Sequence, residues 1–244
     1  MDPSLYPRMA AVEDAHWWFA SRRAICESLI ARLGLPSNCE ILEPGCGTGG
    51  NFAMLARHGK LYALDCAEDA LRFAAARGVA TELAQGALPD HIPFGTRRFD
   101  LIVMTDVLEH LDDDAAALTA VHSRLRPGGW LLLTVPALSW LWSEHDVTHH
   151  HRRRYSGDEL NARLQAAGYT VSFLSHFNFV LFPVIAGVRL RQRLFHRAGA
   201  GHHDLTMPSA MTNMLLRRIF SSERHVLSLI RVPLGVSLIA LARA

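Results

Sequence analysis

A glycine-rich turn between a short apolar strand and a helix limits the fold of this chain more than any other segment. Residues 40–43 have the composition of a buried strand, and residues 43–50 have the sequence Glu-Pro-Gly-Cys-Gly-Thr-Gly-Gly. Glycine allows a sharp turn and lets a ligand approach the backbone closely. A helix is predicted over residues 51–58, so the segment indicates the first strand–turn–helix unit of an α/β fold, with a ligand at the turn.

The alternation of strands and helices continues through most of the 244 residues. Further strands are predicted at 61–65, 79–83, 100–104, 130–135, 169–174 and 234–242, and further helices at 69–77, 113–125 and 158–167. Almost continuously apolar strands separated by helices are typical of a parallel sheet covered on both faces. We therefore expect a doubly wound, mostly parallel α/β sheet, with ligands at the carboxyl ends of its strands.

Two further segments stand out, one before this core and one within it. A helix is predicted over residues 11–34, and the adjacent aromatic residues 16–19 cannot all face one core, so at least one is expected to cover a pocket. Residues 137–156 are expected to form a long functional loop. The predicted organisation has four parts: a helical and aromatic cap (1–37), the α/β core (38–176), a helical insertion rich in apolar and basic residues (177–230) and a final core strand (231–244).

Charge is distributed unevenly along the chain. Residues 1–140 contain 12 Lys+Arg and 17 Asp+Glu, whereas residues 141–244 contain 13 and 6. A basic second part indicates either contact with something anionic or a solvated basic face. The basic excess is small and no RNA-binding module is recognisable, so we expect no nucleic-acid partner.

The cysteines and the N-terminus bear on the compartment. The four cysteines form no C-x-x-C pair, which indicates a reducing compartment rather than a disulfide scaffold. Residues 1–13 contain charged side chains and no apolar segment of the kind found in secretory signals. We therefore expect a cytoplasmic protein.

An apolar stretch near the C-terminus leaves two interpretations open. Residues 177–188 are too few to span a bilayer and include a proline, and they are followed directly by four arginines, at positions 189, 191, 193 and 197. The simpler interpretation is a lid packed on the core with solvated arginines. The alternative is a peripheral contact with an anionic membrane, at its inner face.

Two carboxylates identify the kind of ligand that suits the glycine-rich turn. Glu43 ends the first strand, where it would repel a pyrophosphate but could receive an ammonium group. Asp65 ends the second strand, twenty residues after Gly45, where a carboxylate can accept the hydroxyls of a ribose. A ligand with a ribose and an amino acid but no phosphate satisfies both, and S-adenosylmethionine is such a ligand.

Over residues 38–137 the chain resembles the class I S-adenosylmethionine-dependent methyltransferases of the small-molecule branch. The resemblance rests on residues 43–49, on Asp65, and on segments matching later motifs: 99–103, 106–110 and 125–129. It implies a Rossmann-like, seven-stranded sheet whose last strand is antiparallel and inserted between strands five and six, so that residues 177–230 form an insertion. Residues 16–23 and the H-R-R-R-Y run at 151–155 resemble an uncharacterised bacterial subgroup.

The resemblance also implies a set of cofactor contacts. Relatives often carry an acid after strand three that meets the adenine amino group, but this chain has Gln85 there, so the backbone around residues 86–88 would have to bind adenine. The implied cofactor-binding residues are Glu43, Gly45, Cys46, Gly47, Gly49, Asp65, Cys66, Gly86, Ala87, Leu88, Thr105 and Asp106.

The acceptor side is predicted from residue chemistry. Methyl transfer from a sulfonium is an in-line displacement that requires alignment, and removal of a proton when the nucleophile is a hydroxyl. The candidate bases or orienting groups are His110, His145, His151 and Tyr155. The candidate acceptor-binding residues are Trp17, Trp18, Arg152, Arg153 and Arg154, because arginine holds carboxylate or phosphate in bidentate fashion.

A metal site is an alternative for part of this region. Asp106, Glu109 and His110 resemble an acid-x-x-Glu-His cluster that binds a divalent ion in ubiquinone-pathway O-methyltransferases and in some small-RNA 2′-O-methyltransferases. A histidine from 145–151 could complete such a site. The first acid here is the shorter aspartate, and such a turn also occurs without metal, so we assign no metal ligand and leave the question open.

The sequence therefore predicts methyl transfer from S-adenosylmethionine to a small or lipid-linked acceptor, at oxygen. Two alternatives remain: a catalytically inactive, cofactor-binding partner or scaffold protein, and a pyridine-nucleotide oxidoreductase of the same architecture. The sequence predicts no oligomeric state and does not identify the acceptor.

Overall fold

A seven-stranded sheet forms the centre of the molecule. The computed structural model describes residues 4–194 and 206–244. The strands are β1 (Glu40–Pro44), β2 (Lys60–Asp65), β3 (Glu82–Gln85), β4 (Phe99–Thr105), β5 (Leu125–Pro136), β6 (Thr170–Phe177) and β7 (Ser237–Arg243). Their order is β3-β2-β1-β4-β5-β7-β6, and β7 runs antiparallel to both of its neighbours. The doubly wound fold and the inserted antiparallel last strand are confirmed.

Helices cover both faces of this sheet. In the described residues they are α1 (Leu5–Val12), α2 (Trp17–Ile30), α3 (Phe52–Leu55), α4 (Glu68–Ala76), α5 (Asp114–Ser123), α6 (Glu144–Thr148), α7 (Gly157–Ala166), α8 (Phe182–Leu194) and α9 (Ala210–Leu227). A short 3-10 helix, Leu108–His110, follows β4. The predicted insertion over 177–230 contains α8 and α9, while residues 195–205, including Arg197, lie outside the described residues.

The strands are buried on both sides because their side chains alternate between two cores. On β4, Ile102 and Met104 contribute to one hydrophobic core, and Leu101 and Val103 contribute to the other. Side chains of α5 and α7 complete the first core, and side chains of α2 and α9 complete the second. The nearly continuous apolar composition of the strands therefore follows from double-sided burial.

The N-terminal prediction is wrong in one respect. The helix predicted over residues 11–34 is two helices, because His16 has an extended backbone and its side chain accepts a hydrogen bond from Trp18 N, which starts a new helix. The second helix ends at Ile30, before the predicted stop at Gly34. The bend turns α1 across the glycine-rich turn.

Other boundaries also differ from the predicted ones. The third strand is Glu82–Gln85 rather than 79–83, because Tyr62 of β2 pairs with Glu82 and the preceding residues form the crossing turn. The helix predicted over 51–58 is only Phe52–Leu55. The predicted loop 137–156 contains α6, which a capping box between Ser143 and Asp146 starts.

Candidate active site

A cavity of about 610 Å³ lies at the carboxyl ends of β1, β2 and β4. The glycine-rich turn and Asp65 form one wall, α1 and α2 cover it, and α8 and α9 close the far side. All residues predicted to bind the cofactor line this cavity except Gly49. A Cβ on Gly49 would lie within 3 Å of Phe52 and Arg77 side chains, so this glycine serves the packing of the turn.

The glycine-rich turn brings backbone close to the cavity. Gly45 and Gly47 have φ values of +70° and +55°, a conformation that side chains with a Cβ disfavour. A Cβ on Gly45 would lie 2.7 Å from a methyl group of Val107. Glycine is therefore required at Gly45 by both conformation and space.

Asp65 holds the turn in place and faces the cavity. Its two carboxylate oxygens accept hydrogen bonds from the backbone N–H groups of Gly47 (2.8 Å) and Ala67 (2.9 Å). Each carboxylate oxygen has a second lone pair. Asp65 can therefore accept two further hydrogen bonds from vicinal hydroxyls.

Glu43 is a buried carboxyl group with one satisfied oxygen. Its Oε1 accepts a hydrogen bond from Asn51 Nδ2 at 2.7 Å, whereas its Oε2 has no hydrogen-bond partner among the described residues. Burial raises the pKa of Glu43 to about 8, although the hydrogen bond from Asn51 opposes the shift. An ammonium group in the cavity would satisfy this oxygen, so the residues present fit the amino-acid end of S-adenosylmethionine.

The part of the wall near β3 has small and apolar side chains. Cys66, Gly86, Ala87 and Leu88, which the sequence predicts to lie near adenine, line the cavity. Tyr6 and Met9 of α1 also line the cavity, and sequence analysis missed both because α1 follows no recognisable motif. A planar base can be held between these apolar surfaces.

Asp106, at the wall of the cavity just after β4, is already paired with protein groups. Its carboxylate forms an ion pair with Arg22 and accepts a hydrogen bond from Thr134 Oγ1 at 2.9 Å. Arg22 is itself nearly buried on α2 and lines the cavity. The sequence contains no signal for this pair, because the two residues are 84 positions apart.

Histidines form a cluster on the next part of the wall. His110, His145, His149 and His151 all line the cavity. The ring of His151 lies 4.8 Å from that of His110 and 5.6 Å from that of His145. Burial and the neighbouring His151 lower the pKa of His110 to about 4, so His110 is neutral at neutral pH.

Asp146 orients His151. Its Oδ1 lies 2.9 Å from His151 Nδ1, and Arg154 forms a bidentate ion pair with the same carboxylate at 2.8 and 3.0 Å. Burial alone would raise the pKa of Asp146, but the hydrogen bonds from His151 and Arg154 hold it well below its usual range. The remaining nitrogen, His151 Nε2, faces Glu109 Oε1 at 4.0 Å.

Glu109, His110 and His151 are the described residues that could hold a metal ion. One donor atom from each lies within 4.8 Å of the others. Glu109 is fully buried, and neither of its carboxyl oxygens has a hydrogen-bond partner among the described residues. Burial and the nearby Asp106 carboxylate raise the pKa of Glu109 well above its usual value.

Three residues predicted for the acceptor side lie outside the cavity wall. Tyr155 is buried in the core and its hydroxyl donates to Asp114 at 2.8 Å. Arg153 pairs with the same carboxylate at 2.9 Å, and Arg152 lies at the surface 3.1 Å from Asp112. These residues anchor the loop, whereas Arg154 lines the cavity.

The far side of the cavity is largely apolar, although Arg189 of α8 also lines the cavity. Trp17 and Trp18 line it, and Trp18 stacks on Phe220 of α9 at 5.2 Å. The other apolar lining residues are Leu181, Val184, Ile185, Leu216 and Val236. Asn178 also lines this side, nearly fully buried and with neither amide atom hydrogen-bonded to a described residue. No sequence motif marks Asn178. Its place at the cavity follows from its position directly after β6.

Comparisons with known proteins agree with this geometry. A family model described as a methyltransferase domain matches residues 18–172. A ubiquinone biosynthesis O-methyltransferase of Hydrogenovibrio crunogenus is 26% identical over 175 residues, covering 64% of this chain and 72% of that protein. The chain spans between 56% and 72% of the length of the first five curated relatives that it matches.

Solved structures share the fold. An S-adenosylmethionine-dependent methyltransferase from Mesorhizobium loti has a TM-score of 0.57 and 16% identity, covering 88% of this chain and 96% of that one. Phosphoethanolamine N-methyltransferase 2 of Haemonchus contortus was solved with S-adenosyl-L-methionine. It has a TM-score of 0.58 and 16% identity, and the match covers 89% of this chain and 52% of that one. With the family match over more than half of its length, the chain belongs to the methyltransferase domain family and is an S-adenosylmethionine-dependent methyltransferase.

Proposed function

We propose that this enzyme transfers the methyl group of S-adenosylmethionine to a hydroxyl oxygen of a small, lipid-linked acceptor. The observation that carries the proposal is a single cavity whose wall includes Glu43 and Asp65 at one end, an apolar compartment at the other, and histidines between them. This order suits a polar cofactor, an apolar acceptor and proton removal where the two meet.

The cofactor contacts follow from the wall described above. Asp65 would accept the ribose hydroxyls, Glu43 would receive the ammonium group, and the backbone of residues 86–88 would bind adenine. When bound, S-adenosylmethionine supplies an electrophilic methyl group whose carbon–sulfur bond breaks as the carbon–oxygen bond forms. Thr105 and Asp106 lie at the carboxyl end of β4, beside the methionine end.

Among the candidate bases, we favour His145 as the proton acceptor. His151 has carboxyl groups facing both ring nitrogens, which suits an orienting role. His110 has a pKa of about 4, lowered by burial and by His151, and a base works best with a pKa near the working pH. Tyr155 is buried away from the cavity. His145 takes the hydroxyl proton, and the oxygen then keeps the electron pair that forms the new bond.

The acceptor class is inferred from the apolar compartment. Trp17 and Trp18 offer rigid aromatic surfaces, and aliphatic side chains of α8 and α9 extend the compartment outward. Arg154 is engaged with Asp146, so we assign it to positioning the histidine loop rather than to holding an acceptor anion. The relative named for ubiquinone biosynthesis acts in the synthesis of a molecule of apolar character, which agrees with this class.

The function is tested by incubating the enzyme with methyl-labelled S-adenosylmethionine and a bacterial lipid extract. We expect label in a solvent-extractable product that survives mild alkali, because methyl ethers resist the hydrolysis that cleaves methyl esters. The Asp65→Asn variant is the control and should incorporate far less label than the wild type at the same cofactor concentration. Cofactor binding without incorporation into any extract would favour the scaffold alternative, and label confined to water-soluble products would exclude a lipid-linked acceptor.

We further propose a peripheral membrane contact, which would suit the same acceptor class. Residues 178–236 contain eight arginines and only two acids, Asp204 and Glu223, of which Glu223 is fully buried. Large apolar side chains are exposed on the two helices beside the cavity: Val184, Val188 and Leu190 on α8, and Met211, Met214 and Leu215 on α9. Apolar side chains beside arginines suit an anionic lipid surface. Among the described residues, no helix is long and apolar enough to cross a membrane.

This contact predicts binding to vesicles that contain phosphatidylglycerol. Val188→Glu and Met211→Glu should each weaken co-sedimentation with such vesicles about tenfold, because a buried aliphatic side chain contributes roughly 1.5–3 kcal/mol. Val79→Glu changes an exposed valine outside these helices and should bind like the wild type. Equal binding of all variants, or equal binding to neutral vesicles, would contradict the proposed surface.

A further inference from the structure

Glu109 presents a buried carboxyl group that makes no hydrogen bond to a described residue. It is fully buried in the cavity wall, and neither oxygen has a hydrogen-bond partner among the described residues. Burying an unpaired carboxylate costs several kcal/mol. The guanidinium groups of Arg22 and Arg154 offset this cost in part, but they pair with Asp106 and Asp146, and neither donates a hydrogen bond to Glu109. A buried carboxyl group without a hydrogen-bond partner at a cavity wall indicates that a ligand in the cavity binds to it.

Two imidazoles stand beside this carboxyl group. His110 follows Glu109 on the same 3-10 helix, and His151 comes from the loop after α6. One donor atom from each of the three residues lies within 4.8 Å of the others, and His151 Nε2 is 4.0 Å from Glu109 Oε1. Ligands about 2.0–2.2 Å from a shared ion lie roughly 3–4 Å apart, so small side-chain movements would complete the set.

A second carboxylate holds one of these imidazoles in a ligating orientation. His151 Nδ1 lies 2.9 Å from Asp146 Oδ1, and Arg154 and the Ser143 backbone N–H fix that carboxylate. The other ring nitrogen, Nε2, lies 4.0 Å from Glu109 Oε1, on the side of the ring where an ion would bind. Metal-binding histidines commonly carry such a carboxylate on their other nitrogen.

We propose that Glu109, His110 and His151 bind a divalent transition-metal ion such as zinc. Two imidazoles and one carboxylate suit zinc and similar ions, and three protein ligands leave a position open for an oxygen of the acceptor. Asp106 stays outside the set, because Arg22 and Thr134 occupy its oxygens. This revises the expectation from sequence, which assigned no metal ligand.

The catalytic consequence rests on the proposed function, whereas the binding itself does not. An ion at this place would bind the acceptor hydroxyl through its oxygen and lower the hydroxyl pKa. The proton would then pass to a group outside the donor set, and His145 lines the same cavity. The ion and His145 would thus share the removal of one proton.

The experiment measures metal on the full chain without any acceptor. The protein is stripped with chelator, dialysed against zinc, and analysed by mass spectrometry for one zinc per chain; cobalt(II) is titrated in parallel for its visible absorption bands. Glu109→Gln and His151→Gln should weaken binding of either ion by more than about 100-fold, because loss of a ligand costs more than the roughly 10–100-fold typical of an outer-shell partner. The control is His150→Asn, since His150 is exposed, lies outside the cavity wall and has a positive φ that asparagine tolerates.

Each outcome decides the proposal. Stoichiometric zinc lost in both variants and kept in His150→Asn supports it. Absence of stoichiometric metal in the wild type overturns it and leaves Glu109 a protonated carboxylic acid. Equal metal in wild type and Glu109→Gln also overturns it, because the ion then binds elsewhere. Titration with S-adenosylhomocysteine verifies that each variant is folded, and metal binding without methyl transfer would contradict the proposed function alone.

Discussion

Replacing Asp65 with asparagine is expected to weaken binding of S-adenosylhomocysteine by roughly 100- to 1000-fold. Hydrogen bonds to a charged acceptor contribute about 1.5–3 kcal/mol each, and the proposed ribose contact uses two of them. Asparagine keeps the size of the side chain but removes the charge and one acceptor oxygen. Calorimetric titration measures the affinity directly, and NAD, titrated in the same way, should produce no binding heat.

The control for this variant must separate ligand contact from folding. Asp65 also accepts backbone hydrogen bonds from Gly47 and Ala67, so thermal unfolding of the variant has to be measured beside its affinity. Asp69→Asn removes an exposed carboxylate on the following helix that pairs with Arg72, and its affinity should equal that of the wild type. Unchanged affinity in a folded Asp65→Asn protein would place the ribose elsewhere in the cavity.

Replacing His145 with glutamine is expected to lower kcat by about 10²- to 10⁴-fold while the affinity for S-adenosylhomocysteine stays unchanged. The variant removes the proposed proton acceptor but keeps a polar side chain of similar reach on α6. Turnover is measured as methyl incorporation into the lipid extract that supports wild-type activity, and affinity is measured by calorimetry on the same preparation.

The matched control is His225→Gln, an exposed histidine near the end of α9. It should keep both turnover and affinity, since it lies outside the cavity wall. A His145→Gln protein with wild-type kcat would show that the proton leaves by another group. A loss of affinity together with kcat would instead indicate that α6 supports the cofactor wall.

The part of the fold that follows from local sequence was predicted well. The turn at residues 43–50 needs positive φ at Gly45 and Gly47, and that requirement is visible as glycine in the sequence. Glu43 and Asp65 end consecutive parallel strands, and such ends lie side by side at one edge of the sheet. Local sequence patterns are therefore sufficient to predict the wall of the cavity formed by the glycine-rich turn, Glu43 and Asp65.

The residues of the acceptor side could not be predicted from local sequence, because their positions depend on contacts between distant residues. The H-R-R-R-Y run offered five adjacent candidates, and of these His151 and Arg154 line the cavity while Arg152, Arg153 and Tyr155 face Asp112 and Asp114. Adjacent side chains in an irregular loop point in different directions. Which of them faces the ligand depends on how the loop packs against the helix after β4.

The sequence by itself determined the doubly wound sheet, its glycine-rich turn and the two carboxylates at the strand ends, because apolar periodicity and glycine conformation are local properties. The tertiary structure alone decided that α1 lies across the turn, that Arg22 neutralises Asp106, and that Glu109 meets His151, a residue 42 positions later. Such pairings form when distant segments are packed over one cavity. Burial, charge and ligand geometry at that point are properties of the folded chain.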